Sequence, residues 1–155
     1  MNKLSKQLCG IAGEYYVAAE LSRRNYLAAI TLRSADGVDI LVSNIAGDKL
    51  ASIQVKTTQG KHKWILNKKI ELEKSDNKFF VFVHIPENIK EHPIYHIISS
   101  QNLSEAISTG HRSWLTESGK NGKKRNDSDV RQFDPKYFKN GEILDWDDLI
   151  RLIEE

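Results

Sequence analysis

A single cysteine, Cys9, occurs in the 155 residues. No internal disulfide framework is therefore available, and a reducing cytoplasm is the expected compartment. Cys9 lies in a stretch that reads as helix with no histidine signature nearby, which marks it as a small structural residue rather than a nucleophile. Long hydrophobic runs are also missing. The longest, Phe79 to Ile85, is broken by His84, too short to span a bilayer, so no membrane partner is expected. Met1 to Leu8 alternates Lys with short polar and apolar residues and lacks an apolar run of signal-peptide length. His84, His92, His96 and His111 show no metal-ligand spacing with Cys or with one another, and read as structural or surface residues. Net charge is only +2, too small in total to argue for a polyanionic partner.

What is present fits a soluble globular chain. Hydrophobic residues make up 39% and charged residues 28%, and a chain of this length can bury a sufficient core as one domain. One domain over 1–155 is expected, with a core of about 4–98 and a C-terminal elaboration over 99–155. The charge distribution says more than the total. Lys56, Lys61, Lys63, Lys68 and Lys69 fall in one segment without an acid, whereas Glu142, Asp145, Asp147, Asp148, Glu154 and Glu155 gather at the end. A local basic face can attract a polyanion even on a nearly neutral protein.

Leu4, Leu8, Ile11, Tyr15, Ala18 and Leu21 recur at three- and four-residue intervals, predicting a helix from about Leu4 to Arg24 with these residues on its apolar face. Strand patterns follow over Ala28 to Arg33, Val38 to Ser43 and Leu50 to Thr58. Asp36-Gly37 and Ala46-Gly47-Asp48 supply the turns of an antiparallel meander. Asn67 to Lys74 reads as a short helix with Ile70 and Leu72 inward. Phe79 to Ile85, nearly all apolar, predicts a strand buried on both faces at the middle of a sheet flanked by helices. A further strand over Pro93 to Ile98 and a short helix near Asn102 to Ser108 come next. Ser118 to Ser128 contains no apolar residue and predicts a mobile surface loop. A final helix is capped by Asp145, with Trp146, Leu149, Ile150 and Ile153 on its inner face.

Chemistry concentrates in the meander. In Gln54-Val55-Lys56, strand alternation puts Gln54 and Lys56 on one face, about 7 Å apart. Pairing through the Ala46-Gly47 turn would bring Asp39 across from them. A carboxylate, an amide oxygen and an ammonium on one patch suit phosphodiester hydrolysis. Hard oxygen donors hold Mg²⁺ or Mn²⁺, the ion activates a water, and a lysine steadies developing charge. Each residue alone also fits an ordinary half-exposed strand or helix, and order and spacing are what set the group apart.

Gly10-Ile-Ala-Gly13-Glu14 on the first helix, Gly37-Val-Asp39-Ile in the second strand and Ile53-Gln54-Val-Lys56-Thr57 in the third resemble the PD-(D/E)xK nuclease superfamily. The likeness points to its small endonuclease-like and archaeal Holliday-junction-resolvase-like branches, and covers about residues 10 to 58. The resemblance implies an α/β (α+β) fold with a restriction-endonuclease-like core. That core is a central mixed β-sheet in helix-strand-strand-strand-helix-strand order, flanked by helices. It also implies a Mg²⁺- or Mn²⁺-dependent endonuclease acting on DNA, in defence or repair, and leaves room for a homodimer that reaches both strands.

By position, Asp39 would be the bridging metal ligand, Lys56 the catalytic lysine and Glu14 the helix-borne acid completing the metal site. Gln54 stands where the pattern has Asp or Glu; its amide oxygen can ligate a metal, with one negative charge fewer. Val38 replaces the nominal proline. Asp36 competes with Asp39, but Asp36-Gly37 is a turn signal. Lys61, His62, Lys63 and Trp64 follow the catalytic strand and could meet a backbone phosphate and stack on a base, Trp64 being equally suited to the core. Lys120 to Arg125 could contact DNA from the loop. The Gln54 replacement supports a second expectation, a nuclease-fold module that binds nucleic acid or a protein partner without catalysis. A third is a toxin- or immunity-type interaction protein using the acidic last helix.

Overall fold

A computed structural model describes residues 3–32, 37–60, 63–138 and 142–155. Helix α1, Lys6–Ser22, starts where the Ser5 side chain accepts from the Leu8 amide, and stops where Asn25 turns to a φ of 68°. Strands β1, Leu27–Ile30, β2, Ile40–Ser43, and β3, Leu50–Gln59, form the expected antiparallel meander. Strand β4, Trp64–Asn67, leads into a 3₁₀ turn over Lys68–Leu72. Strand β5, Lys78–Ile85, pairs parallel with β3, and β6, Ile94–Ser99, antiparallel with β5. The sheet order is β1-β2-β3-β5-β6. Helix α2, Ser100–Thr116, strand β7, Val130–Phe133, and helix α3, Trp146–Glu154, complete the chain.

The result is a mixed α+β fold whose central mixed sheet is flanked by helices; between β3 and β5, where a second core helix is expected, the chain forms β4 and the 3₁₀ turn. Two apolar clusters sandwich the sheet. On one face Ile40, Val42, Ile53, Val55, Phe79, Val81 and Val83 pack beneath α1 and α3. On the other, Phe80, Phe82 and Ile98 pack beneath Trp64, Ile70, Leu103, Ile107 and Phe133. Strand β5 supplies both clusters, so it is buried on both sides, as its apolar run predicts. Each of its phenylalanines contributes roughly 1.5–3 kcal/mol of burial.

Several expectations are corrected. The buried stripe of α1 is Cys9, Gly13, Val17 and Leu21, while Leu8 is 57% and Tyr15 65% exposed. The helix approaches β3 along its small residues, not its bulkiest ones. A Cβ on Gly13 would collide with Thr57, so closeness of backbone decides the face. Burial pushes the Cys9 thiol up from its ordinary range. Helix α2 is much longer than the segment near Asn102 to Ser108, because its last turns are polar and lie over the surface. Leu72 is exposed and only Ile70 of the 3₁₀ turn is inward.

The β4–β7 pair was not foreseen. Its strands are four residues each and far apart in sequence. Helix α3 forms as expected, with Asp145 and Asp148 in a reciprocal capping box. Among the described residues, no helix is long and apolar enough to cross a membrane.

Candidate nuclease site

Strand β3 is longer than its partner. Strand β2 pairs with Leu50 to Ile53 only, and β3 runs on to Gln59. Beyond Ile53, the β3 edge facing β2 has amide groups that no β2 strand residue can satisfy. Asp39 fills the first gap: its own N–H donates to the Ile53 carbonyl (2.9 Å), and its Oδ2 accepts from the Val55 N–H at 2.7 Å. The carboxylate is thereby anchored at one oxygen, and the other keeps its lone pairs for a ligand. The Thr31 hydroxyl and amide donate to the Val38 and Asp39 carbonyls, holding the approach to this turn.

Register settles which residues share the face. Ile53 and Val55 point under α1, whereas Gln54 and Lys56 lie beside Phe80 and Phe82 on the opposite side. Asp39, the residue before β2, lies where the β2–β3 pairing ends and meets β3 at the Ile53 carbonyl and the Val55 amide. The Asp39 carboxylate is thereby held at the Val55 amide, between Gln54 and Lys56 along β3, where the β2–β3 ladder ends. Asp39, Gln54 and Lys56 are half-buried, and among the described residues no acid pairs with Lys56.

Glu14 belongs to the other layer. It is half-buried on α1 beside Gly13, whose close contact is Thr57, one residue past Lys56. It is thus level with the site along β3, on the helix that covers the reverse face of the sheet. Among the described residues no three His, Cys, Asp or Glu side chains gather closely enough to hold a metal ion. Asp39 and the Gln54 amide oxygen remain as donors. That set suits Mg²⁺, which commonly keeps several waters and takes one or two carboxylates together with substrate phosphate.

A neighbouring ion pair gave no sequence signal. Lys78, opposite Ser52 on β5, pairs with Glu73 and lies 5.4 Å from the centre of the Phe80 ring. A Cβ on Gly37, which has a φ of 72°, would sit 3.0 Å from the Lys78 ammonium and 3.9 Å from the Gln54 amide oxygen. The glycine thus leaves room for both groups beneath the turn that carries Asp39. Only the parallel register of β3 and β5 brings Lys78 here; spacing along the chain could not.

The basic segment after β3 divides. Lys61 and His62 lie outside the described residues, as does Asp36. Lys63 is exposed, with its ammonium 3.6 Å from the buried Asp134 carboxylate. Trp64 corrects the base-stacking expectation. It is 2% exposed and packs edge-on against Phe82 at 5.4 Å, with Phe133 and His96 around it. Its ring belongs to the core and cannot meet a base. A cavity of about 680 Å³ opens at the other end of β3, lined by Leu50, Ala51, Asn77, Ser99 and Leu152, away from this site.

No family model matches the chain, and no curated protein matches it. Among solved structures the chain is similar to the Holliday junction resolvase Hjc of the archaeal hyperthermophile Archaeoglobus fulgidus. The two are 13% identical, with 83% of this chain and 85% of that chain covered and a TM-score of 0.46.

Proposed function

We propose that this protein hydrolyses phosphodiester bonds in DNA as a Mg²⁺- or Mn²⁺-dependent endonuclease. The observation that supports the reading most is Asp39 at the end of the β2–β3 ladder, its carboxylate anchored by the Val55 amide between Gln54 and Lys56 of β3. When bound, the ion polarises the phosphate and lowers the pKa of an attacking water. Asp39 and the Gln54 amide oxygen would hold it. The Lys56 ammonium, without an acid of its own among the described residues, orients the water or offsets charge gathering on the phosphate. In this reading Glu14, level with the site on the helix of the other layer, would supply the second carboxylate and restore the charge that Gln54 lacks.

Gln54 gives a direct test. Gln54→Glu adds a negative charge beside Asp39 and within reach of Lys78, and should tighten Mn²⁺ binding about tenfold by calorimetry, roughly 1.4 kcal/mol. Unchanged affinity would remove residue 54 from the ligand set.

The neutral Gln54, with no three-acid group among the described residues, favours a second reading, a nuclease-fold module that binds nucleic acid without cutting it. DNA binding that weakens steeply with salt, with no ion uptake at millimolar Mn²⁺ and no cleavage, would select that reading.

A further inference from the structure

The polar segment after α2 has defined contacts. Arg125 lies over the Trp114 ring at 4.8 Å, and its Nη1 donates to the Trp114 carbonyl (2.9 Å) and the Glu117 carboxylate (3.0 Å). The loop between them closes on itself. The Gly119 amide donates to the Lys123 carbonyl at 2.9 Å, the Gly122 amide donates back to Gly119, and Asn121 and Gly122 take φ values of 60° and 70°. The expected mobile loop is thus a built turn stacked on an aromatic ring.

Charge on this turn is sorted. Each acid from 117 to 129 is engaged: Glu117 with Arg125, Asp127 with His111 and Arg131, and Asp129 with Lys68. The His111 hydrogen bond holds the Asp127 carboxyl below its usual range. The cations are not all answered. Lys120, Lys123, Lys124 and Arg112 are exposed, and no acid pairs with them among the described residues; Arg112 donates to the Thr109 hydroxyl. Trp114, 42% exposed, lies among them. Helix α2 packs through Leu103 and Ile107 on the layer over Phe80 and Phe82, the face of the sheet that also carries Gln54 and Lys56.

We propose that Lys120, Lys123, Lys124 and Arg112, on the Arg125–Trp114 stack, form a second contact surface for the DNA backbone, outside the candidate site. Spare cations held on an ordered turn match a polyanion without needing acids to move aside, and they grip phosphate rather than read bases. The ligand here depends on the DNA reading given above, and the surface would set affinity while leaving the chemical step unchanged.

The test is fluorescence anisotropy of a labelled duplex between about 50 and 200 mM salt. It compares the wild type, Lys120→Ala/Lys123→Ala/Lys124→Ala, and Lys90→Ala on the β5–β6 turn as a control. Exposed substitutions of this kind change stability by no more than about 0.5 kcal/mol, so the triple variant should fold. The expected result is a salt dependence shallower by about two to three phosphate contacts, with kcat kept and KM raised if cleavage occurs. A triple variant matching Lys90→Ala in slope and affinity would overturn the surface, as would wild-type protein that binds no DNA. Binding with the expected slope change but no cleavage would keep the surface and remove only the catalytic reading. A matching loss on anionic vesicles, with no change on DNA, would transfer the patch to a membrane and overturn it as written.

Discussion

Asp39→Asn should abolish DNA cleavage while leaving the protein folded. The Val55 N–H requires an acceptor at this position, and an amide oxygen can provide it. Satisfying Val55 then turns the Asn NH₂ group toward the side where the ion and phosphate would bind, and two N–H donors replace a lone-pair oxygen. The charge is lost as well, from a set in which Gln54 already contributes none. Loss of that contact should lower the cleavage rate at least about a hundredfold, equivalent to roughly 3 kcal/mol. Thermal unfolding followed by circular dichroism should stay near wild type. Asp39→Ala is the less clean variant, since it leaves the Val55 amide without its partner, at a cost of about 1–3 kcal/mol. An Asp39→Asn protein that still cuts DNA at the wild-type rate would remove Asp39 from the chemistry.

The second large effect is on stability, and its sign reverses within three residues. Gly10→Ala and Gly13→Ala both put a better helix former into α1, worth up to about 1 kcal/mol in a helix interior. At Gly10 nothing lies within 4 Å of the added Cβ, so the gain should be realised. At Gly13 the new atom would meet Oγ1, Cβ and Cγ2 of Thr57 together. Rotating the Thr57 side chain cannot clear the clash, because its Cβ, 2.9 Å away, does not move with χ1. Relief requires α1 to lift from β3, which would loosen the packing of Val17 and Leu21. The expected net cost is about 3 kcal/mol, lowering the melting temperature by roughly 6–12 °C. Equal effects at the two glycines would show that α1 does not lie against β3 as described.

Local chemistry made much of the fold legible. The seven-residue core run of β5, the turn at Gly47 and the Asp145 cap are signals carried by adjacent residues, and each leads to the element it predicts. Where the signal depends on distant partners it fails. Trp64 reads equally as a surface aromatic or as core until β7 closes over it from residues 130–133. The face of α1 is misread because Leu8 and Tyr15 outweigh Cys9 and Gly13 in any hydrophobic pattern, whereas packing against a sheet rewards the side that can come closest.

By itself, then, the sequence determined the first helix and the meander after it, the buried strand β5, the strand alternation that sets Gln54 beside Lys56, and the glycine turns that bring the meander back on itself. These follow from period, turn residues and caps, which act over a few residues. Tertiary structure alone decided that β2 stops pairing with β3 at Ile53 and that the Asp39 carboxylate meets the Val55 amide there. It also brought the Lys78–Glu73 pair under Gly37 and left Lys120, Lys123 and Lys124 without acids among the described residues. Those outcomes depend on strand register and on through-space pairing of charges, which no spacing along the chain encodes.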